Sequence, residues 1–150
     1  MELILWRHAQ ALEPQPGQSD LERQLTKKGQ KQAKLMARWL RTHMPHNTRI
    51  LASPAMRTTQ TADALRLPYT IADALAPGAT IDDLLKIAQW PNASLPVILI
   101  GHQPALGNLA SFLISGTEQN WNIKKGAIWW MSTHPKHAVN LSAVINPTLL

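Results

Sequence analysis

Cysteine is missing from all 150 residues, which excludes a disulfide framework, a thiolate metal centre and a cysteine nucleophile. Long apolar runs are missing too, and none approaches the roughly 20 residues needed to cross a bilayer. The apolar run at the amino end, Leu3 to Trp6, sits behind Glu2 rather than a lysine or arginine, so it does not read as a signal peptide. A cytoplasmic protein with no membrane partner is expected. Acidic residues are scarce, nine against 15 lysines and arginines, for a net charge of +6. That excess suits an anionic partner and says little about the fold. Tyrosine and phenylalanine occur once each, beside six tryptophans. Most of the tryptophans lie in or beside apolar runs and read as core rather than as base-stacking platforms. Zinc-finger spacing, an RNA-binding signature, a P-loop and a G-x-S-x-G elbow are all absent, so no nucleic-acid partner is expected.

What is present is a composition that packs, with 45% hydrophobic and 16% charged residues. A chain of this length is too short for two ordinary domains, and residues 1–150 are expected to form a single domain. Strand signals fall at 2–6, 49–53, 96–101, 127–131 and 138–145, with a weaker one at 69–73. Helical spacing runs over 27–43, 54–66, 80–90 and 104–115. Strand alternating with helix predicts an α/β three-layer sandwich with a mostly parallel central sheet. The last two strands have no helix between them and are expected to pair antiparallel, turning near 132–137. Ser53 followed by Pro54, and Gln103 followed by Pro104, read as two helix starts facing the carboxyl edge of the sheet, a favourable place for an anion.

Polar side chains converge on that same edge. The first strand ends in Arg7 and His8, the 49–53 strand leads to Arg57 in the first turn of its helix, and the 96–101 strand leads to His102. Arginine forks match phosphate oxygens, and two of them neutralise a phosphoryl group without a metal ion. A histidine ring nitrogen can attack phosphorus and divide one difficult displacement into two easier ones. These residue types point to phosphoryl transfer without a metal or other cofactor.

The blocks "LWRHAQA", "ERQLTKKGQKQA", "SPAMRTTQTA" and "IGHQPALG" follow one another in the order found in the histidine phosphatase superfamily. The short chain most resembles the SixA-type phosphohistidine phosphatases. The resemblance implies a phosphoglycerate mutase-like fold and a phosphatase working through a covalent phosphohistidine. It implies His8 as nucleophile, Arg7 and Arg57 on the phosphoryl oxygens, and His102 as a donor to one of them. Arg23, in "RQLT", matches an arginine that reaches the same anion. The implied substrate is phosphohistidine in a phosphorelay or phosphotransfer protein. A small phosphorylated compound, or phosphate bound without catalysis, are the alternatives. Ala9 stands where the family usually has glycine, and Gln24 where it commonly has proline.

Mutases and many monoesterases of the family carry a glutamate, between the second helix and the later strands, that protonates the leaving oxygen. Residues 67–95 hold no glutamate here, only Asp73, Asp82 and Asp83. An alkoxide leaves poorly unless protonated, whereas imidazole leaves far more easily. The sequence therefore favours a phosphoramidate or an activated ester over a sugar phosphate.

Other features read more plainly. His43 with His46, and His134 with His137, are spaced by three in proline-containing turns without an acidic ligand, and are expected to be solvated rather than metal-bound. Lys27, Lys31, Lys34, Arg38 and Arg41 form a basic stripe, read as a solvated face opposite Ala33, Ala37 and Leu40, with docking of an acidic phosphoprotein as the alternative. If a lid closes over the crevice, residues 9–22, rich in Gln and Pro, are the loop that would supply it.

Overall fold

Strand side chains alternate between the two faces of a sheet, and the first strand, β1 (Glu2–Arg7), places apolar groups on both. Leu3 and Leu5 pack with Leu84, Leu106 and Leu109 on one side, while Ile4 and Trp6 pack with Met36, Leu40 and Ala62 on the other. A strand buried on both faces belongs in the middle of a sheet covered by two helical layers. The computed structural model, which describes residues 1–134 and 138–150, shows that arrangement. After β1 come α1 (Lys27–His43), β2 (Arg49–Ala52), α2 (Met56–Asp63), β3 (Thr70–Ile71) and α3 (Ile81–Ala88). Then follow β4 (Val97–Gly101), α4 (Ala105–Ser115), β5 (Ile128–Ser132) and β6 (Asn140–Ile145). The six strands lie in the order β3-β2-β4-β1-β5-β6. The first four are parallel, and β5 and β6 run antiparallel to their neighbours. Helices α1 and α2 cover one face, α3 and α4 the other.

The expected elements are present, with shifted ends that have local causes. Helix α2 begins at Met56 rather than 54, because Ala55 keeps an extended backbone and the Ser53 hydroxyl is engaged elsewhere. Helix α3 starts in a capping box between Thr80 and Asp83 and stops where Gln89 turns left-handed, at φ 57°. His43 is not in a turn but closes α1, its ring stacked on Trp39 with centroids 4.3 Å apart. Of the basic stripe, Arg41 reaches the carbonyl oxygens of Ala64 and Leu65 at the end of α2. The turn expected at 132–137 includes residues 135–137, and His137 with them, which lie outside the described residues. No described helix is long and apolar enough to cross a membrane.

One contact ties α1 to the edge of the sheet where the polar residues gather. Thr26 caps α1 by accepting from the Gly29 amide at 2.9 Å, and its hydroxyl donates to Gln10 Oε1 at 2.9 Å. Gly29 itself lies against the Gln10 backbone, where a Cβ would run into the carbonyl oxygen. Gly29→Ala must push α1 off that segment, and is expected to destabilise the protein by about 1–3 kcal/mol. Thermal unfolding measures this, and an unchanged Tm contradicts the packing described.

Candidate active site

Register brings the two histidines together. Arg7 of β1 pairs with Gly101 of β4, and the next amide, that of His8, donates to the Gly101 carbonyl at 3.1 Å. His8 and His102 therefore leave neighbouring strands side by side, with ring centroids 5.3 Å apart and planes inclined by 55°. Strand β2 lies on the other side of β4, and the Ser53 amide donates to the Ile100 carbonyl at 3.0 Å. His8, His102, Ser53 and Arg57 are all buried.

The hydrogen bonds orient both rings and assign the His8 proton. His8 Nδ1 lies 2.7 Å from the Ala9 carbonyl oxygen, an acceptor only, so Nδ1 carries the hydrogen and Nε2 keeps its lone pair. His102 Nε2 lies 2.7 Å from Ser53 Oγ, which already accepts from the Ala55 amide at 3.3 Å. Ser53 therefore fixes the Nε2 side of the ring, and Nδ1 is left buried without a partner among the described residues. His8 presents a lone pair, and beside it His102 presents an unpaired ring nitrogen.

The arginines surround this pair. Arg57 Nη1 donates to the Asp20 carbonyl oxygen at 2.8 Å and Nη2 to Asp20 Oδ2 at 2.9 Å. Arg23 Nη1 donates to Asp20 Oδ1 at 3.0 Å, and its Nε to the Leu12 carbonyl at 2.9 Å. Arg7 Nη1 holds the Ile123 carbonyl at 2.8 Å. The Nε groups of Arg7 and Arg57 are buried with no partner among the described residues. Arg23 is joined to Arg57 through Asp20, whose two carboxylate oxygens they share. The strand order turns at β1 and β4, and this is the crevice outside the carboxyl ends of the strands. With two unpaired guanidinium N–H groups and a free imidazole lone pair beside the unpaired ring nitrogen of His102, it can hold a tetrahedral anion and attack it.

Burial pushes His8 down to about 3, opposed by its bond to Ala9 and reinforced by His102 and the arginines. Burial, followed by Arg57, pushes His102 down to about 4. Both rings are uncharged at neutral pH. In the unfolded chain they titrate near 6.5, so below that pH the unfolded state takes up protons that the folded state refuses. Stability is complete above about pH 6.5 and falls as pH drops toward 4. At about 1.4 kcal/mol per unit and per ring, the two together remove on the order of 4 kcal/mol by pH 5. Urea unfolding at pH 7.5 and pH 5 measures the loss, and a His8→Asn/His102→Asn double variant is expected to show much less of it. An equally steep loss in the double variant contradicts the assignment.

A family model described as histidine phosphatase superfamily (branch 1) matches residues 3–77, from β1 through the 3-10 turn after β3. An uncharacterized protein of Picosynechococcus sp. is 36% identical over 138 residues, covering 85% of this chain and 82% of its own. The chain belongs to the histidine phosphatase superfamily. Phosphohistidine phosphatase SixA of Escherichia coli is 30% identical over 125 residues, 77% of this chain and 76% of that protein. Among solved structures, that of the protein histidine phosphatase SixA complexed with tungstate superposes with a TM-score of 0.78 at 25% identity, covering 99% of each chain. A member of this superfamily with such relatives is a phosphatase of the hydrolase class.

Two residues of this histidine phosphatase site escape a reading by motif. Ser53 looks like a helix cap, yet its hydroxyl holds His102 Nε2 at 2.7 Å. Asp20 looks like a loop acid, yet it bridges Arg57 and Arg23. Its bond to Arg57, then that to Arg23, hold the carboxyl below its usual range against some desolvation, so it is ionised at neutral pH and no acid for a leaving group. Asp20→Asn keeps an acceptor and the backbone contact to Arg57 while removing a negative charge beside the anion site. At ~1 kcal/mol for unit charges about 4 Å apart in water, inorganic phosphate is expected to inhibit this variant several-fold more strongly. Weaker inhibition would show instead that the charge is needed to aim Arg57.

Ala9 and Gln24, the two departures from the family pattern, are accommodated without backbone strain. Among the described residues only Arg66 and Gln89 have positive φ apart from glycines, so Ala9 sits in ordinary backbone. Gln24 accepts from Gln60 Nε2 at 3.3 Å, and its carbonyl takes the Leu12 amide at 2.8 Å.

Proposed function

We propose that this chain is, on a single domain, a metal-independent phosphohistidine phosphatase acting on a protein of a phosphorelay or phosphotransfer chain. The observation that carries it is the histidine pair: His8 Nε2 with its lone pair free to attack, and beside it His102 with Nε2 held by Ser53 and Nδ1 unpaired. Substrate phosphate rests between Arg7 and Arg57, with Arg23 at its rim. His8 Nε2 forms a bond to phosphorus while the bond from phosphorus to the leaving nitrogen breaks, and its electron pair stays on the departing imidazole. Charge that gathers on the phosphoryl oxygens meets the guanidinium groups and His102. Water then attacks the phosphorus, the bond to His8 breaks, and orthophosphate leaves with His8 restored. The tungstate bound in the SixA relative is an oxyanion of the same tetrahedral shape, which supports a phosphate site.

Substrate class follows from the leaving group. Residues 67–95 lack glutamate, Asp83 is committed to its capping box and Asp20 to two arginines, which leaves Asp73 and Asp82 as the aspartates of that stretch without a side-chain hydrogen bond among the described residues. General acid catalysis contributes about 10²–10⁴-fold, so a substrate that needs it is disfavoured. A phosphohistidine peptide is expected to surpass a phosphoserine peptide or a sugar phosphate in kcat/KM by on the order of 100-fold. Equal or reversed preference would favour the small-ester reading.

A further inference from the structure

Beside the histidines lies a cavity of about 490 Å3, lined by Arg7, Gln103, Pro104, Asn120 and Asn122. It adjoins the site through the residue before His8 and the residue after His102. Its far wall is the segment between α4 and β5, pinned at three points. Gln103 Nε2 donates to the Trp121 carbonyl at 2.7 Å while its Oε1 accepts from the Gly107 amide at 2.8 Å. Arg7 holds the Ile123 carbonyl at 2.8 Å. Gly107 lies so close to the Trp121 carbonyl that any Cβ would collide with it. The backbone on either side of Asn122 is thus fixed, with Trp121 half-buried and Ile123 buried, while Asn120 and Asn122, which alternate with them, are exposed and line the cavity. Neither amide side chain has a hydrogen-bond partner among the described residues.

We infer that this cavity is the leaving-group subsite, and that Asn120 and Asn122 select a phosphorylated residue embedded in polypeptide by hydrogen-bonding its flanking peptide groups. The inference rests on the proposed function and extends it. Each asparagine offers both a carbonyl acceptor and N–H donors, the complement of a peptide group's own donor and acceptor. Arg7 is the only charged residue of the lining, and the phosphoryl group claims it. A second anionic group on the substrate, such as a carboxylate or another phosphate, finds no cation of its own there. The volume lies within the range of ligand sites, and the depression is open to solvent, as a substrate carried on a polypeptide requires.

The test is a ratio: kcat/KM on a phosphohistidine peptide divided by kcat/KM on phosphoramidate, whose leaving group is too small to reach the asparagines. In an Asn120→Ala/Asn122→Ala variant this ratio is expected to fall about tenfold, the effect of one to two neutral hydrogen bonds. A ratio within twofold of the parent's overturns the subsite, whether both activities hold or both decline together. If the parent protein leaves the phosphohistidine peptide untouched, it is the substrate reading that fails, and the same ratio taken with a phosphoserine peptide then decides the subsite.

Discussion

His8→Ala is expected to lower kcat/KM by on the order of 10⁴-fold or more, on phosphohistidine and aryl phosphate substrates alike. The size follows from what the substitution removes: the ring nitrogen His8 Nε2, whose lone pair is free because Nδ1 donates to the Ala9 carbonyl. Water held in the same pocket would have to attack phosphorus without a covalent intermediate. Phosphate affinity is expected to persist, since Arg7, Arg57 and His102 remain. Loss of turnover with retained binding of inorganic phosphate, measured by kinetics and calorimetry on one preparation, separates catalysis from recognition. A variant that hydrolyses aryl phosphate as well as the parent does would make the chain a phosphate-binding module.

Arg57→Ala carries the second largest effect. The guanidinium is 4% exposed and links three things: the anion site through its unpaired Nε, the electrostatics of His102, and Asp20. Removing it takes away a preorganised cation from the place where charge builds in the transition state, worth about 10²–10³-fold in kcat. It also strips Asp20 of its nearest cation, leaving a carboxylate beside the incoming phosphate, so KM is expected to rise as well. Arg57→Lys is expected to recover only part of the loss, because an ammonium cannot reproduce the planar fork that reaches Asp20 and the anion together. A lysine variant equal to the parent would mean that charge alone matters at this position.

Much of this was readable from the chain because the informative residues obey local rules. The double burial of Leu3 to Trp6 marks a central parallel strand, the Thr80–Asp83 box marks the start of α3, and the basic stripe opposite Ala33, Ala37 and Leu40 marks α1 along its full length. Arg7, His8, Arg57 and His102 gather because each follows, at short range, the carboxyl end of a strand, and the strand order does the rest. What local rules could not show were partnerships made across the fold. Ser53 meets His102 from 49 residues away, and Asp20 meets Arg57 from 37. Serine before proline reads as a cap whether or not its hydroxyl faces inward, and an aspartate in a Gln- and Pro-rich loop reads as solvated until the loop is folded back. A serine placed directly beyond a strand that neighbours the histidine strand was the one available signal, and it needed the sheet order to be used. The absence of glutamate in 67–95, by contrast, was plain in the sequence and still bears most on the substrate.

The central claim is that His8 carries the phosphoryl group between substrate and water, and rapid acid-free quenching during turnover of a phosphorylated substrate tests it most directly. The account predicts an acid-labile, base-stable phosphate on one peptide, the one containing His8, that appears and decays within the turnover time and is missing in His8→Ala. Full turnover with no such phosphate, or with the label on His102, would contradict it.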